Sequence, residues 1–282
     1  MNAIPVEYLD THGDVHPLKR EPKLRIHHVS KVFEQKHRVV TALEDTNFDV
    51  REGEFVTILG PSGCGKSTIL KIIAGLTEPS SGYVMLNNQR INGPGADRGM
   101  VFQAYTLFPW LTVERNISFG LQLKGIPKTQ RQETVEHYLE LIGLNGFGAM
   151  YPNSLSGGMK QRVAIARALA NDPEVLLMDE PFGALDAQTR TVMQELLLKV
   201  WEESHKTILF VTHDVDEAIF MGDRVYVMTA RPGRLKAEIP VPLPRPREFS
   251  VKASPEFMRL KGKILELIRE ESWKAASEVG CK

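Results

Sequence analysis

A glycine-rich turn between an apolar strand and a helix constrains the fold of this chain more than any other feature. The turn follows the apolar run 54–59 and comprises Gly60, Pro61, Ser62, Gly63, Cys64, Gly65, Lys66, Ser67 and Thr68. Glycines let backbone N–H groups turn inward around phosphate oxygens, and the N-terminus of the next helix adds favourable partial charge. The pattern therefore predicts an α/β core with a phosphate-binding turn at the end of a buried strand.

Two side chains of this turn carry charge or a metal-ligating oxygen. Lys66 is placed to meet the β- and γ-phosphates of a nucleotide, and Ser67 to ligate Mg²⁺. A glycine-rich turn with no ligand is the alternative. The presence of strand, lysine and hydroxyl together argues against it.

Two adjacent carboxylates, Asp179 and Glu180, follow the short apolar run 175–178, which predicts a central parallel strand. An aspartate at the carboxyl end of such a strand can reach the metal, and the next residue can point at the water that attacks the γ-phosphate. We therefore assign Asp179 to the metal and Glu180 as general base. An isolated pair of this kind is usually a solvated turn, but the phosphate loop and the run 181–186 favour catalysis.

A second candidate anion site lies at Ser156, Gly157 and Gly158, which open a predicted helix over residues 159–170. The start of a helix has free N–H groups, the serine adds a hydroxyl, and glycine permits close approach of a phosphate. A simple capped helix is the alternative.

These motifs, in this order, resemble those of the ABC ATPases, the nucleotide-driven subunits of membrane transporters. The resemblance covers about residues 23–246 and implies an ATPase that uses ATP and Mg²⁺. It also implies a P-loop NTPase (RecA-like) core with an antiparallel β subdomain and an inserted α-helical subdomain at about residues 104–160. Residues 1–22 would then be an N-terminal extension and residues 247–282 a C-terminal helical tail.

Further site residues follow from the resemblance alone. Gln103 matches the family's glutamine loop, which touches Mg²⁺ and the attacking water, and His213 matches the switch histidine that contacts the γ-phosphate. Phe33 matches the aromatic residue that stacks on adenine, with a buried strand aromatic as the open alternative. Residues 156–158 would close on ATP held by another subunit, which implies a head-to-tail dimer. Asp186 would couple its two ATP sites.

The run 105–113 contains several large apolar side chains beside a proline, which suggests a surface that receives a partner. In ABC transporters the region corresponding to residues 103–113 receives a coupling helix from the transmembrane permease. Local packing is the alternative, and we expect Phe108 and Trp110 to be divided between the two roles. Together with residues 228–234, this run resembles the nitrate/sulfonate/taurine branch of ABC importers. That branch implies a small anionic solute and an extracytoplasmic solute-binding protein.

Composition narrows the remaining classes. The formal net charge is zero, so we expect no nucleic-acid partner. Apolar runs fall short of the roughly 20 residues that span a bilayer, and residues 1–22 lack the pattern of a secretory signal. Two cysteines, Cys64 and Cys281, fit a reducing compartment. We therefore expect a peripheral protein at the cytoplasmic face of the membrane. A soluble ABC ATPase of DNA repair or translation, or an exporter subunit, is the alternative.

Periodicity predicts the other elements. Helices are expected at residues 68–76, 130–142, 188–203, 215–221 and from 255, and strands at residues 24–33, 46–50, 207–212 and 224–228. The last helix has Ser254 as its N-cap, and one apolar face with Phe257, Leu260, Ile264 and Leu267. The proline-rich segment 240–246 is predicted to be a linker.

Overall fold

The structure, a computed structural model, describes residues 7–9, 15–17, 22–35 and 38–279. Its strands are β1 (Glu7–Leu9), β2 (Val15–Pro17), β3 (Pro22–Gln35), β4 (Arg38–Arg51), β5 (Phe55–Leu59), β6 (Ser81–Leu86), β7 (Gln89–Arg90), β8 (Arg98–Val101), β9 (Val175–Asp179), β10 (Thr207–Thr212), β11 (Arg224–Met228) and β12 (Leu235–Pro240). Its helices are α1 (Lys66–Ile73), α2 (Val113–Leu123), α3 (Lys128–Leu141), α4 (Gly157–Ala170), α5 (Ala187–Ser204), α6 (Val215–Met221) and α7 (Pro255–Val279), with 3₁₀ turns at Pro152–Ser154 and Phe249–Ala253.

A six-stranded sheet in the order β12-β11-β5-β10-β9-β8 forms the centre of the molecule. All neighbouring strands in it are parallel except the pair β11 and β12. Strands β5, β9 and β10 are buried at every residue, since packed elements cover both faces of the sheet. Thr212 pairs with Leu59, and Val211 with Asp179, so the carboxyl ends of these strands meet at one edge. Ligands bind at such edges in open α/β sheets.

The two faces of this sheet bury separate cores, because successive strand residues point to opposite sides. Phe55 and Leu59 face the core formed with α5, α6 and α7. Val56 and Ile58 face the core shared with α1 and with the antiparallel sheet β4-β3-β6-β7. The predicted α/β core with an antiparallel β subdomain is therefore confirmed.

The predicted helical insertion is present as α2, α3 and α4, which share a small core around Val113, Ile117 and Val163. Helix α2 was not predicted from the sequence. It begins after Thr112, whose Oγ1 accepts a hydrogen bond from Arg115 N at 3.4 Å. Inside it the buried Asn116 ties the preceding segment down, accepting from Phe108 N and donating to Phe108 O.

The segment 240–246, predicted as a linker, instead packs on the main core. Pro240 ends β12, and Val241 and Leu243 are buried in the same core as α7. The predicted apolar face of α7 is confirmed, with Phe257, Leu260 and Ile264 buried and Leu267 packed beside them. Ser254 Oγ accepts from Phe257 N at 3.2 Å, as an N-cap does.

Of the predicted N-terminal extension, the structure describes the antiparallel pair β1 and β2, and Pro22, which begins β3. The rest of the extension and Cys281 lie outside the described residues. The division of the chain into residues 1–22, 23–246 and 247–282 stays a prediction. Within the described ranges, no helix combines the length and apolar character needed to cross a membrane.

Candidate active site

The glycine loop joins β5 to α1 and is backed by strand β4. Gly65, the N-cap of α1, has φ 106°. A Cβ there would lie 2.7 Å from Leu43 Cδ2 and 2.8 Å from Ala42 O, so only glycine fits. Cys64 is buried in the core beneath the loop, and burial raises the pKa of its thiol. Cys64 is therefore a neutral packing residue, while Ser62 and Gly63 are exposed. Helix α1 begins at Lys66, two residues before the predicted start.

Lys66 lies at the centre of this loop with only 5% of its surface exposed. Its Nζ donates to Gly60 O at 2.9 Å and to Pro61 O at 3.1 Å. The same ammonium is 3.7 Å from Glu180 Oε1. A buried cation held by backbone carbonyls is thus aimed at the carboxyl edge of the sheet, where phosphate oxygens can reach it.

Ser67 and Asp179 meet between α1 and β9. Ser67 Oγ donates to Asp179 Oδ1 at 2.8 Å. Burial raises the pKa of Asp179 above its ordinary value, and the hydrogen bond from Ser67 opposes that effect. Hydroxyl and carboxylate oxygens are ligands that Mg²⁺ prefers, usually one or two of them together with substrate phosphates and water. This oxygen pair beside the glycine loop fits such a metal.

Glu180 stands where β9 ends and has φ 45°, in the left-handed region. Its backbone N donates to Val211 O at 2.9 Å, which fixes this turn against β10. Its Oε2 is 2.9 Å from His213 Nδ1, while its Oε1 faces Lys66. The structure therefore brings the predicted base, the predicted switch histidine and the loop lysine together.

A cleft beside Glu180 and His213 ends on a buried carboxyl that sequence reasoning missed, Glu217 of α6. Burial raises the pKa of Glu217. Its Oε1 accepts from Gln194 Nε2 at 2.9 Å. It lies four residues after His213, on the helix predicted at residues 215–221, and no motif marked it.

Gln103 and Phe33 lie at the surface. Gln103 follows β8 and is exposed, with its Nε2 3.8 Å from the place a Cβ on Gly183 would take, in the turn after Glu180. Phe33 of β3 is 40% exposed, and Lys31 Nζ lies 5.2 Å from its ring centroid. The alternative of a buried strand aromatic is therefore wrong.

The second candidate anion site begins α4. Ser156 is its N-cap, with Oγ accepting from Met159 N at 3.3 Å. Gly157 approaches Tyr105, and a Cβ on it would lie 2.9 Å from the tyrosine hydroxyl. In the part of the chain that the structure describes, no hydrogen bond or ion pair joins residues 156–158 to the glycine loop. Within one protomer, the two candidate anion sites are therefore separate.

Asp186 caps α5, where its Oδ1 accepts from Gln188 N at 3.1 Å and from Thr189 N at 3.0 Å. These bonds, led by that from Thr189, lower the pKa of Asp186. The carboxylate therefore stays ionised at the surface beside the turn that contains Glu180.

The apolar run 105–113 contains one half-buried and one exposed aromatic side chain. Phe108 is half-buried, and its ring centroid is 4.6 Å from that of Phe119. Trp110 is 70% exposed at the tip of the same segment. One aromatic side chain thus packs inside the helical subdomain, and the other is presented outward.

Known proteins are similar to this chain in sequence and in fold. Residues 43–183 match the family model described as ABC transporter. The chain is 49% identical over 252 residues to a nitrate import ATP-binding protein of Synechocystis sp., covering 87% of this chain and 95% of that protein. It is 49% identical over 238 residues to an aliphatic sulfonates import ATP-binding protein of Bacillus cereus, covering 84% and 92%. A dimeric ATP-binding cassette bound to ADP and Pi superposes with a TM-score of 0.69 and 36% identity, covering 80% of this chain and 100% of that one.

Proposed function

Because the chain belongs to the ABC transporter family of ATP-binding proteins, we propose that it is the ATP-hydrolysing subunit of an importer for a small anionic solute. One arrangement carries the assignment of the chemistry: the Glu180 carboxylate lies between Lys66 of the glycine loop and His213 at the end of β10. The relatives named for import of nitrate and of aliphatic sulfonates support the direction of transport, and their solutes share a negative charge.

In the proposed site, the backbone of residues 60–68 holds the β- and γ-phosphates, and Lys66 neutralises their charge. Ser67 and Asp179 hold Mg²⁺, with Gln103 completing its surroundings. A bound Mg²⁺ would act as a Lewis acid that neutralises charge on the phosphates. Glu180 accepts the proton of the attacking water.

His213 has two proposed tasks. Its Nδ1 contact with Glu180 orients the carboxylate, and its other ring nitrogen is left to contact the γ-phosphate. Phe33, exposed on β3, supplies a face on which adenine can stack.

The site is completed by a second subunit. We place Ser156, Gly157 and Gly158 of one protomer over the γ-phosphate held by its partner, in a head-to-tail dimer. Their position at an exposed helix start supports this role, because free N–H groups and a hydroxyl there can bind an anion. Asp186, capping α5 beside the turn with Glu180, would couple the two sites.

The membrane partner is a permease, which we place against residues 103–113. The exposed Trp110 supports this, because Phe108 beneath it is anchored by Phe119 and leaves the indole available for a partner. Closure of the dimer on ATP would move this surface and drive the permease to an outward-facing state. An extracytoplasmic solute-binding protein would then deliver the solute to it. The chain would then lie peripherally on the cytoplasmic face of the membrane, without a nucleic-acid partner.

The other two classes are not favoured. The relatives are named for import, which does not support an exporter subunit or a soluble ATPase of DNA repair or translation. A net charge of zero also gives nucleic acid no bulk attraction.

Reconstitution with the neighbouring permease and solute-binding protein in liposomes tests the proposal. ATP hydrolysis should rise when the binding protein is loaded with nitrate, a sulfonate or taurine. The rate of ATP hydrolysis should stay at its basal value when an organic cation is offered instead. Lys66→Ala should abolish ATP hydrolysis under all of these conditions. ATPase activity that responds to DNA and to no membrane protein would contradict the proposal.

A further inference from the structure

The loop of residues 229–234, between β11 and β12, lies against the outer side of the glycine loop. In the structure it touches the glycine loop on one side and helix α7 on the other.

Arg231 makes the contact to the glycine loop. Its Nε and Nη2 donate to Gly63 O at 3.1 and 2.9 Å. The carbonyl of Gly63 and the N–H of Cys64 belong to one planar trans peptide and point in opposite directions. Holding the carbonyl outward therefore aims the Cys64 N–H into the loop, where Cys64 N donates to Pro61 O at 3.3 Å.

The backbone conformation of Gly63 alone restrains this peptide weakly. Gly63 has φ 74°, and glycine is the residue that moves most freely between left- and right-handed backbone conformations. Two donors on one carbonyl select a single orientation of the peptide. A charged donor strengthens that selection, because charge-assisted hydrogen bonds are about twice as strong as neutral ones.

Gly233 holds the loop of residues 229–234 close against the glycine loop. A Cβ on Gly233 would lie 2.0 Å from Cys64 O, so the two backbones are in close contact. Its N donates to Ala42 O at 2.9 Å, and its O accepts from Glu44 N at 3.0 Å. The loop is thus held between β4 and the glycine loop, and Arg231 projects from a fixed base.

Glu271 of α7 holds the other side. It is 3% exposed, and its Oε2 accepts from Ala230 N at 3.0 Å. Its Oε1 is 2.8 Å from Lys236 Nζ and 3.1 Å from Lys274 Nζ. Burial by itself would raise the pKa of Glu271, but these hydrogen bonds outweigh it and keep the pKa below its ordinary value. The Glu271 carboxylate is therefore ionised where it accepts from Ala230, the residue before Arg231.

We propose that Arg231 is a positioning residue of the ATP site, which orients the Gly63–Cys64 peptide for phosphate binding, and that Glu271 of α7 holds it in place. This inference rests on the proposed role of residues 60–68 as the ATP site. Arg231 and Glu271 have no contact with Glu180 or His213 in the described structure. Losing either should therefore weaken ATP binding and leave the rate at saturation largely unchanged.

The chain offers a matched control for each residue. Arg234 belongs to the same loop and pairs with Glu44 at 2.6 Å on an exposed side, away from the glycine loop. Glu270 neighbours Glu271, pairs with the same Lys236 at 2.6 Å and is exposed. Every partner of Glu271 is a donor, so a glutamine there must turn its amide nitrogen toward a donor.

The experiment compares R231Q with R234Q, and E271Q with E270Q, in the full-length chain. The Kd of a fluorescent ATP analogue, and KM and kcat for ATP, are measured at one salt concentration. We expect R231Q to raise Kd and KM about five- to tenfold, and E271Q about threefold, with kcat within about twofold of wild type. R234Q and E270Q should match wild type.

The outcomes separate this inference from the proposed function. Failure of wild type to bind the analogue, or binding that survives Lys66→Ala, contradicts the proposed ATP site itself. With that site intact, an R231Q variant that matches R234Q overturns the role of Arg231, as does a fall in kcat at constant KM. An E271Q variant that matches E270Q overturns the contribution of α7. Thermal unfolding of each variant confirms that folded protein is compared.

Discussion

At the scale of single residues, the proposed chemistry depends on the backbone where β9 ends. Glu180 adopts a left-handed conformation that costs a non-glycine residue of order 1 kcal/mol or more. The bond from Glu180 N to Val211 O retains it. The result is a carboxylate that faces Lys66 with one oxygen and His213 with the other.

Replacing Glu180 with glutamine should separate binding from hydrolysis. The glutamine keeps the shape and a contact to His213 but cannot accept a proton from water. We expect ATP binding to be retained and the hydrolysis rate to fall about 10²–10⁴-fold. Phosphate release and filter binding of ATP measure the two effects. Glu203→Gln, an exposed change on α5, should leave both unchanged. Wild-type turnover in Glu180→Gln would remove Glu180 from the role of base.

Glu217 predicts a pH dependence of stability. Burial raises its pKa in the folded chain above the ordinary value of 4.5, so folding favours the neutral acid. The free energy of unfolding therefore decreases through Glu217 as pH rises from about 4.5 through the folded pKa. Glu217→Gln keeps an oxygen for Gln194 and carries no charge. It should unfold at higher urea concentration than wild type at pH 8, with the difference shrinking toward pH 5. A difference that does not change with pH would contradict this account.

At the scale of elements, buried strands and most helices were predictable, because apolar runs and periodic faces report local burial. Strands β6, β7 and β12 and helix α2 were among the elements missed. Helix α2 contains Asn116, a residue type that does not favour helix. Its buried amide forms hydrogen bonds with the segment that precedes the helix. The segment 240–246 was misread because prolines signal irregular backbone but not where that backbone lies. Its burial of Val241 and Leu243 depends on α7, which the local sequence cannot report.

The same distinction applies to the site. The motifs at the ends of β5, β9 and β10 were readable, since each is contiguous and parallel strands align their carboxyl ends. Arg231 escaped prediction because its partner Gly63 is 168 residues away along the chain. Only the packed fold shows that the two loops touch.

Helix α7 should contribute to the stability of the ATPase core rather than fold separately. Ile264 is fully buried in that core, while the adjacent Leu265 is 46% exposed. Ile264→Ala should lower the free energy of unfolding by about 2–5 kcal/mol. Leu265→Ala should change it by less than about 0.5 kcal/mol. Urea unfolding followed by circular dichroism measures both. Equal effects of the two changes, or a separate transition for the tail, would contradict this packing.

At the scale of the whole molecule, one protomer presents two candidate anion sites, and each is incomplete under the proposed function. The glycine loop has the lysine and the carboxylates, and the start of α4 has free N–H groups and the Ser156 hydroxyl. These half-sites have no hydrogen bond between them within the described residues. The proposed head-to-tail dimer would join the glycine loop of each protomer to the start of α4 of the other. In that arrangement ATP would be part of the interface, so association should depend on nucleotide.

Mixing two defective variants tests that arrangement directly. In a Glu180→Gln background that prevents turnover, Lys66→Ala removes the phosphate contact of the glycine loop. Gly157→Asp places a negative charge where the start of α4 should meet phosphate. Each variant alone should stay monomeric with MgATP, because every pairing of identical chains spoils both sites. The equimolar mixture should form a dimer that retains one ATP, since intact halves meet once in the mixed pair. Size-exclusion chromatography with light scattering and labelled ATP measures both quantities. A mixture that behaves as its separate components, while Glu180→Gln alone dimerises, would rule out sites shared head to tail.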